Sequence, residues 1–320
     1  MAATEGRNAH SRGLDRKSTL EILRVLNRED ARVALAVRRE LPQIARVVDA
    51  IVKAFRCGGR LFYIGAGTSG RLAVLDAAEC PPTFGVSSRM VQAIIAGGER
   101  ALRHAAEGAE DSAARGERDL AHARLSKRDV VVGISASGST PYVHGALKFA
   151  RRRGAITVGV TSNPKSPLAR AADFVIAPGT GPEAITGSTR LKAGTAQKMV
   201  LNLLSTTAMV KLGRVYDNWM VHVALTNNKL RRRGARILAE ATGAAPSAAE
   251  HALRQSGHNL PVALVMLKTG ATARDARRSL SEKSGNVREA LELACKAPQR
   301  RSASGLISTR GARAKKPRSM

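Results

Sequence analysis

Aromatic residues are scarce in this chain of 320 residues, which has one tryptophan, three tyrosines and five phenylalanines. Proteins that bind single-stranded nucleic acids stack bases on aromatic side chains placed among basic ones, and we see no such interleaving here. Because 43% of the residues are nevertheless hydrophobic, a real core is expected. The scarcity of aromatics predicts that this core is built from Ala, Val, Leu and Ile.

Cysteines are also few, and the histidines are not grouped in the sequence. The three cysteines show no metal-type spacing, and the histidines form no ligand set. No Walker A motif and no apolar run of bilayer-spanning length is present. We therefore expect a cytoplasmic protein with reduced thiols that needs no metal and no cofactor.

Acidic residues are few relative to basic ones, so the formal net charge is +28. Much of the basic charge is spread along the chain, and the concentrated part is the tail, 297–320, which we predict to be disordered. Without stacking aromatics, we do not expect nucleic acid to be the main partner. The charge would also attract anionic substrates.

Hydrophobic periodicity predicts an α/β fold. Residues 18–56 have helical spacing, Ser18 or Thr19 is the expected cap of the first helix, and Glu21 lies where a capping-box acid belongs. Strand-like runs follow at 60–65, 91–96, 129–134, 156–160 and 173–177. Because helical segments separate the first four runs, we predict a doubly wound parallel sheet.

The rest of the chain reads as helical, with a break at Gly213 in the stretch 191–241 and three or four short helices over 246–295. We therefore divide the chain into four parts. They are an N-terminal helical segment (1–56), a sheet-containing domain (57–240), a small helical subdomain (241–296) and the basic tail (297–320).

The most informative motif is the glycine-rich turn 65–71, which joins the first strand to a helix. Backbone N–H groups at a helix start, together with the hydroxyls of Thr68 and Ser69, suit a phosphate or another anion. The same helix carries Glu79 next to a Pro-Pro pair. Although G-x-G-x-x-G also matches the dinucleotide fingerprint, no convincing ribose-binding acid follows the second strand.

A second hydroxyl-rich loop, 135–140, follows the third strand and contains Ser137, Ser139 and Thr140. Ligands of doubly wound sheets bind beyond the carboxyl ends of the strands, so the two loops are predicted to flank one crevice. An ordinary serine-rich helix cap is the alternative.

Two further segments are weaker candidates. Residues 107–111 form an acidic cluster that contains Glu110 and would ordinarily be a solvated face. Residues 181–195 contain Ser188 and Lys192 before a long helix, which is typical either of another anion-facing helix start or of a capped helix with surface bases.

Taken together, these segments resemble the N-acetylmuramic acid 6-phosphate etherases of the sugar isomerase (SIS) domain superfamily. The matching stretches are 59–86, which includes ECPPTF, 105–112, 135–150, 181–206, which includes GSTRLKAGTAQK, and 226–230. The resemblance runs from Thr4 to Ala294. It implies an SIS-type sheet domain, a ubiquitin-associated-like C-terminal subdomain, a cytoplasmic homodimer and a role in cell-wall amino-sugar recycling.

The resemblance also implies a reaction and a catalytic pair. The family releases D-lactate and N-acetylglucosamine 6-phosphate, and its two catalytic acids match Glu79 and Glu110. In a β-elimination one carboxylate removes the C2 proton and one acid protonates the leaving oxygen. We assign Glu110 as the base and Glu79 as the acid, with the reverse assignment open. A non-catalytic sugar-phosphate sensor and an aldose–ketose isomerase are the alternatives.

Three positions depart from the family pattern: Ser139 replaces an arginine, His222 replaces a common aspartate, and Trp219 replaces a smaller apolar residue. The loss of the arginine removes a possible phosphate or subunit contact. Since a helix rises about 1.5 Å per residue, Glu79 lies far from the turn that begins its helix. Glu79 then serves either a sugar extended along the helix or the partner subunit's site.

Overall fold

The computed structural model describes residues 5–225 and 227–296; the predicted basic tail lies outside them. The segment 18–56 is helical, as predicted, and forms α1 (Thr19–Asp30), α2 (Val33–Arg39) and α3 (Leu41–Arg56). The predicted capping box is confirmed, because the backbone N–H and the hydroxyl of Ser18 lie 2.9 and 2.6 Å from Glu21 Oε2. The Glu21 carboxylate thus satisfies the backbone N–H of Ser18, the residue before the helix.

The described residues form one parallel sheet in the order β2-β1-β3-β4-β5. The strands are β1 (Leu61–Gly65), β2 (Val91–Ile95), β3 (Val130–Ile134), β4 (Ile156–Val160) and β5 (Phe174–Ile176). Each lies within one residue of its predicted bounds, and the doubly wound parallel fold is confirmed. The chain runs from β1 outward to β2 and then back to β3, so the strand order reverses between β1 and β3.

Helices cover both faces of the sheet. They are α4 (Gly67–Phe84), α5 (Arg100–Arg103), α6 (Ala113–His122), α7 (Pro141–Arg152), α8 (Pro167–Ala171) and α9 (Lys192–Lys211). Successive strand residues point to opposite faces, so Leu61 and Tyr63 pack with α3, α4 and α9, whereas Phe62 and Ile64 pack with α6 and α7. This double burial explains the continuous apolar character of the strands.

The C-terminal part is helical throughout its regular structure. Its helices are α10 (Asn228–Thr242), α11 (Pro246–Gln255), α12 (Leu260–Thr269), α13 (Ala273–Glu282) and α14 (Val287–Lys296). The predicted break at Gly213 is confirmed, because this residue has a φ of 73°, but the next helix begins only at Asn228. The apolar residues Ile237 and Leu238 of α10 belong to one apolar cluster with residues of the four helices that follow, although the predicted boundary at 240 leaves α10 with the sheet.

None of the described helices is both long and apolar enough to cross a membrane.

Candidate functional site

Two loops begin side by side at the carboxyl edge of the sheet. Gly65 at the end of β1 is the register partner of Ile134 at the end of β3. Neighbouring strands lie about 4.8 Å apart, so the loops that follow them begin next to each other at the point where the strand order reverses. We call residues 66–70 the anion loop and residues 135–140 the hydroxyl loop.

The anion loop presents an open helix start. Ala66 precedes α4 and supplies no capping side chain, so the N–H groups of the first turn lack a cap among the described residues. Gly67 has a φ of 52°, and a Cβ added there would meet nothing within 4 Å. A Cβ on Gly70 would instead lie 2.5 Å from Ile95. Gly67 therefore leaves space for a ligand, while Gly70 permits close packing.

The hydroxyls of the anion loop differ in their surroundings. Ser69 is buried, and its Oγ donates to Gln197 Oε1 on α9 at 2.9 Å. Thr68 is half-buried beside Gly194, also on α9. Residues in the first two turns of α9 therefore lie against the anion loop. Sequence patterns do not predict a role for Gln197, because it lies within the family-like stretch 181–206 but in no local motif.

The hydroxyl loop holds its side chains in two pairs. Ser135 Oγ lies 2.8 Å from Thr140 Oγ1, and Ser137 Oγ lies 2.8 Å from Ser139 Oγ. In each pair one hydroxyl donates to the other, so the second keeps a proton to offer to an anion. The pairs are followed by α7, which begins at Pro141 and has no side-chain cap among the described residues.

The third predicted anion-facing helix start, that of α9, is occupied by the chain itself. The two carboxylate oxygens of Glu183 accept from the backbone N–H groups of Lys192 and Ala193 at 3.0 and 2.9 Å. Glu183 is fully buried. Its carboxylate therefore takes the place that a bound anion would have at this helix start. Ser188, half-buried, lies in the turn that leads to the same helix.

Lys192 is likewise paired within the chain. Its Nζ lies 2.5 Å from Glu29 Oε2, and both side chains are buried. Burial alone would raise the pKa of Glu29, but hydrogen bonds from Lys192 and Asn8 hold this pKa below its ordinary value. The ion pair joins α9 to α1 and fixes the position of the helix that braces the anion loop.

Glu110 lies at the anion loop. It belongs to a short 3-10 turn, Ala109–Asp111, and lines a cavity of about 190 Å³ together with Gly67 and Arg71. Arg71 donates to the carbonyl oxygens of Leu102 and His104, at 3.2 and 3.1 Å, and so holds the wall of the cavity in place. One cavity thus combines an open helix start with an exposed carboxylate.

Glu79 lies elsewhere on the same chain. It is twelve residues beyond Gly67 on α4, which corresponds to about 18 Å along the helix axis. Its side chain is exposed. Within one chain, therefore, the structure brings Glu110 but not Glu79 to the anion loop.

The positions that depart from the family pattern lie in two places. Ser139 is exposed within the hydroxyl loop. His222 and Trp219 lie in the segment between α9 and α10, where Trp219 pairs with Tyr216 through the backbone and His222 Nε2 lies 3.0 Å from Gly285 O. Of these departures, only Ser139 belongs to one of the two loops. In the part of the chain that is described, no group of three or more His, Cys, Asp or Glu side chains is arranged to hold a metal.

Comparison with known proteins identifies the family. The model of the glucokinase regulatory protein N-terminal SIS domain matches residues 43–151. The N-acetylmuramic acid 6-phosphate etherase of Serratia proteamaculans (strain 568) is 54% identical over 288 residues, which cover 90% of this chain and 97% of that protein. This chain belongs to the N-acetylmuramic acid 6-phosphate etherase family. The etherase of Yersinia pestis (strain Pestoides F) is also 54% identical, with 98% of its length covered.

The etherase family membership confirms the resemblance drawn from the motifs. Among solved structures, a phosphoheptose isomerase from Francisella tularensis matches with a TM-score of 0.45 and 13% identity, covering 60% of this etherase-family chain and 98% of that one.

Proposed function

We propose that this chain cleaves the ether bond of N-acetylmuramic acid 6-phosphate and releases D-lactate and N-acetylglucosamine 6-phosphate. The observation that carries the proposal is the cavity in which Glu110 lies beside the uncapped start of α4. A phosphorylated sugar needs an anion site and, within reach of it, a base. Identity of 54% to named etherases over 90% of the chain supports this reaction over others of the same fold.

The phosphoryl group binds between the two loops. Backbone N–H groups at the start of α4 point into the crevice, and the helix dipole favours an anion there. The hydroxyl loop contributes Ser137, Ser139 and Thr140 as further donors. With serine at position 139, this loop has no guanidinium, so phosphate binding depends on N–H groups and hydroxyls.

The reaction is an elimination followed by an addition. Opening of the sugar ring gives a C1 aldehyde, which acidifies the proton on C2. Glu110 removes this proton, the electron pair forms the C2–C3 double bond, and the C3–O bond breaks. Glu79 protonates the departing lactate oxygen. Glu79 then takes a proton from water, which adds at C3, and Glu110 returns its proton to C2.

We propose that the complete site forms between two copies of the chain. Glu79 and the anion loop lie about 18 Å apart along α4, too far for one sugar phosphate to contact both within one chain. One turn before Glu79, the apolar Leu75 is 52% exposed on α4. A second copy packed on this helix would cover the exposed leucine and bring Glu79 to its own anion loop. The homodimer implied by the family would thus supply Glu79 from the partner.

The setting follows from the same family. We place the reaction in the cytoplasm, within cell-wall amino-sugar recycling. The described free cysteines, Cys57, Cys80 and Cys295, are compatible with a reducing compartment.

Isotope exchange separates the roles of the two acids. In deuterated solvent, Glu79→Gln should still exchange the C2 proton of the substrate while losing lactate release, because the base remains. Glu110→Gln should lose both. Loss of exchange in both variants would contradict this assignment, and the opposite pattern would support the reverse one. The control is Glu107→Gln, which removes a neighbouring carboxylate of the same cavity that has no assigned proton transfer.

Mixing the two inactive variants tests the shared site. If each site takes Glu79 from one copy and Glu110 from the other, a mixed dimer of Glu79→Gln and Glu110→Gln has one intact site. Random exchange of subunits should then restore about one quarter of the wild-type lactate release. No recovery despite demonstrated subunit exchange would place both acids in one chain.

The products distinguish the alternative functions. A sensor, as suggested by the match to the glucokinase regulatory protein SIS domain, would bind the sugar phosphate without releasing lactate. An aldose–ketose isomerase would give a ketose. A coupled assay for D-lactate with the wild-type chain therefore decides among the three.

A further inference from the structure

Gln197 lies directly behind the anion loop and shares a hydrogen bond with Ser69. We propose that Gln197 is a positioning residue that controls whether the Ser69 hydroxyl proton is offered to the phosphoryl group. The inference rests on the proposed function, because it takes the anion loop as the phosphoryl site.

In the structure the Ser69 proton is donated to Gln197. The Ser69 Oγ donates to Gln197 Oε1 at 2.9 Å, and both residues are buried, Ser69 at 8% and Gln197 at 2% exposure. A serine hydroxyl has one proton, and phosphoryl oxygens are acceptors. In this arrangement Ser69 has no proton left for an anion.

The other atom of the amide is unused. Gln197 Nε2 is buried and has no hydrogen-bond partner among the described residues. A buried donor without a partner is costly, so this atom marks an arrangement that is not optimal without a ligand. Thr68, the neighbour of Ser69, lies beside Gly194 on the same helix as Gln197.

A half-turn of the amide resolves the conflict. The terminal torsion of glutamine is broad and roughly two-fold, so oxygen and nitrogen can exchange places within the same volume. Nε2 then donates to Ser69 Oγ, and the hydroxyl proton is free to bind the anion. The oxygen is left unpartnered, which buried structures tolerate better than an unpartnered N–H. Glutamine is suited to this position because it carries both a donor and an acceptor.

Sulfate binding tests the proposal, because sulfate keeps its charge between pH 5 and pH 8. In Gln197→Glu the ionised carboxylate only accepts, so it holds the Ser69 proton and adds negative charge behind the loop. Calorimetry at pH 8 should show sulfate binding weakened at least tenfold. Binding should recover relative to wild type as the pH is lowered and the new carboxyl gains a proton to donate.

A matched variant controls for the added charge. Thr206→Glu places the same charge on an exposed position of α9 and should leave sulfate binding at the wild-type level. In the assay for lactate release, Gln197→Glu should raise KM more than it lowers kcat. If Gln197 only filled space in the core, Gln197→Glu would show neither the recovery of sulfate binding at low pH nor a larger effect on KM than on kcat.

A double-mutant cycle isolates the pair. Ser69→Ala should weaken sulfate binding in the wild-type background and have no further effect in Gln197→Glu, where the proton is already withheld. Fully additive effects, or Gln197→Glu binding like Thr206→Glu, would overturn the proposal. If Gln197→Glu folds poorly, Gln197→Met replaces it. This variant leaves the hydroxyl free, so Ser69→Ala must still weaken binding there, and no effect would overturn the proposal.

The two proposals fail separately. A failed sulfate test with intact lactate release removes only the role of Gln197. A successful sulfate test without lactate release by the wild-type chain removes the proposed reaction and leaves Gln197 as part of an anion site.

Discussion

The burial of His222 should lower the free energy of unfolding in mild acid. This histidine lies in the segment between α9 and α10, where its Nε2 donates to Gly285 O at 3.0 Å and its backbone oxygen lies close to Gly85. Burial, and then the charge of Arg214, lower its pKa to about 4. The folded protein therefore holds this imidazole neutral at a pH where an unfolded chain would protonate it.

The magnitude follows from linkage between protonation and folding. In the unfolded chain the histidine has its ordinary pKa of 6.5, against about 4 in the folded state. Since the folded pKa is the lower one, the free energy of unfolding is unaffected above pH 6.5 and falls as the pH drops from 6.5 towards 4. The difference corresponds to about 3 kcal/mol at pH 4.

Urea unfolding of wild type and His222→Asn at pH 7 and pH 4 measures this contribution. Asparagine keeps an N–H donor but does not titrate. The wild type should lose about 3 kcal/mol more than the variant over this range. The depressed pKa values of Glu29 and Asp129 also weaken both proteins as the pH falls, but they cancel in the comparison. Equal losses in the two proteins would refute the burial argument.

Three further substitutions test a buried ion pair, a new ion pair and a glycine with a positive φ. Glu29→Gln should cost about 3–5 kcal/mol in urea unfolding, because its buried lysine partner would lose its counter-charge; a loss below about 1 kcal/mol would contradict this. His222→Asp should gain about 1–2 kcal/mol at pH 7 by pairing with Arg214, whose Nε lacks a partner among the described residues; an unchanged or lower melting temperature would contradict this. Gly213→Ala should cost about 1–3 kcal/mol in urea unfolding, because φ is 73° and a Cβ would lie 2.2 Å from the side chain of Asn286. The control Gly179→Ala, where a Cβ would meet nothing within 4 Å, should be nearly neutral.

Local sequence patterns were sufficient for the sheet and for the placement of the two loops. Strands buried on both faces give continuous apolar runs, so β1 and β3 were predicted to within one residue. Once the sheet is parallel, all carboxyl ends lie on one edge, and the loops after β1 and β3 must be neighbours. The positions of the two loops therefore follow from the hydrophobic periodicity of the strands and from the rule that ligands bind beyond the carboxyl ends of parallel strands.

The partners of individual side chains were not predictable in this way. Lys192 pairs with Glu29 across 163 positions of the chain, and Ser69 pairs with Gln197 across 128. Each contact exists because helices from distant parts of the chain cross at that point, which no local pattern records. Ser69 was predicted as a phosphate ligand from its place in a turn, while the residue that holds its proton could be found only in three dimensions.

The helix starts show why similar local signals lead to different sites. Those of α4 and α7 follow glycine- or serine-rich loops and have no capping side chain among the described residues. The start of α9 follows an equally polar stretch, but Glu183 caps two of its N–H groups with a buried carboxylate. All three starts carry the same partial positive charge, so what distinguishes them is whether the chain supplies its own anion. A free helix start at the carboxyl edge, with Glu110 in the same cavity, is therefore the feature on which the proposed phosphate site rests. The start of α9 is instead capped by Glu183, and the same helix carries Gln197.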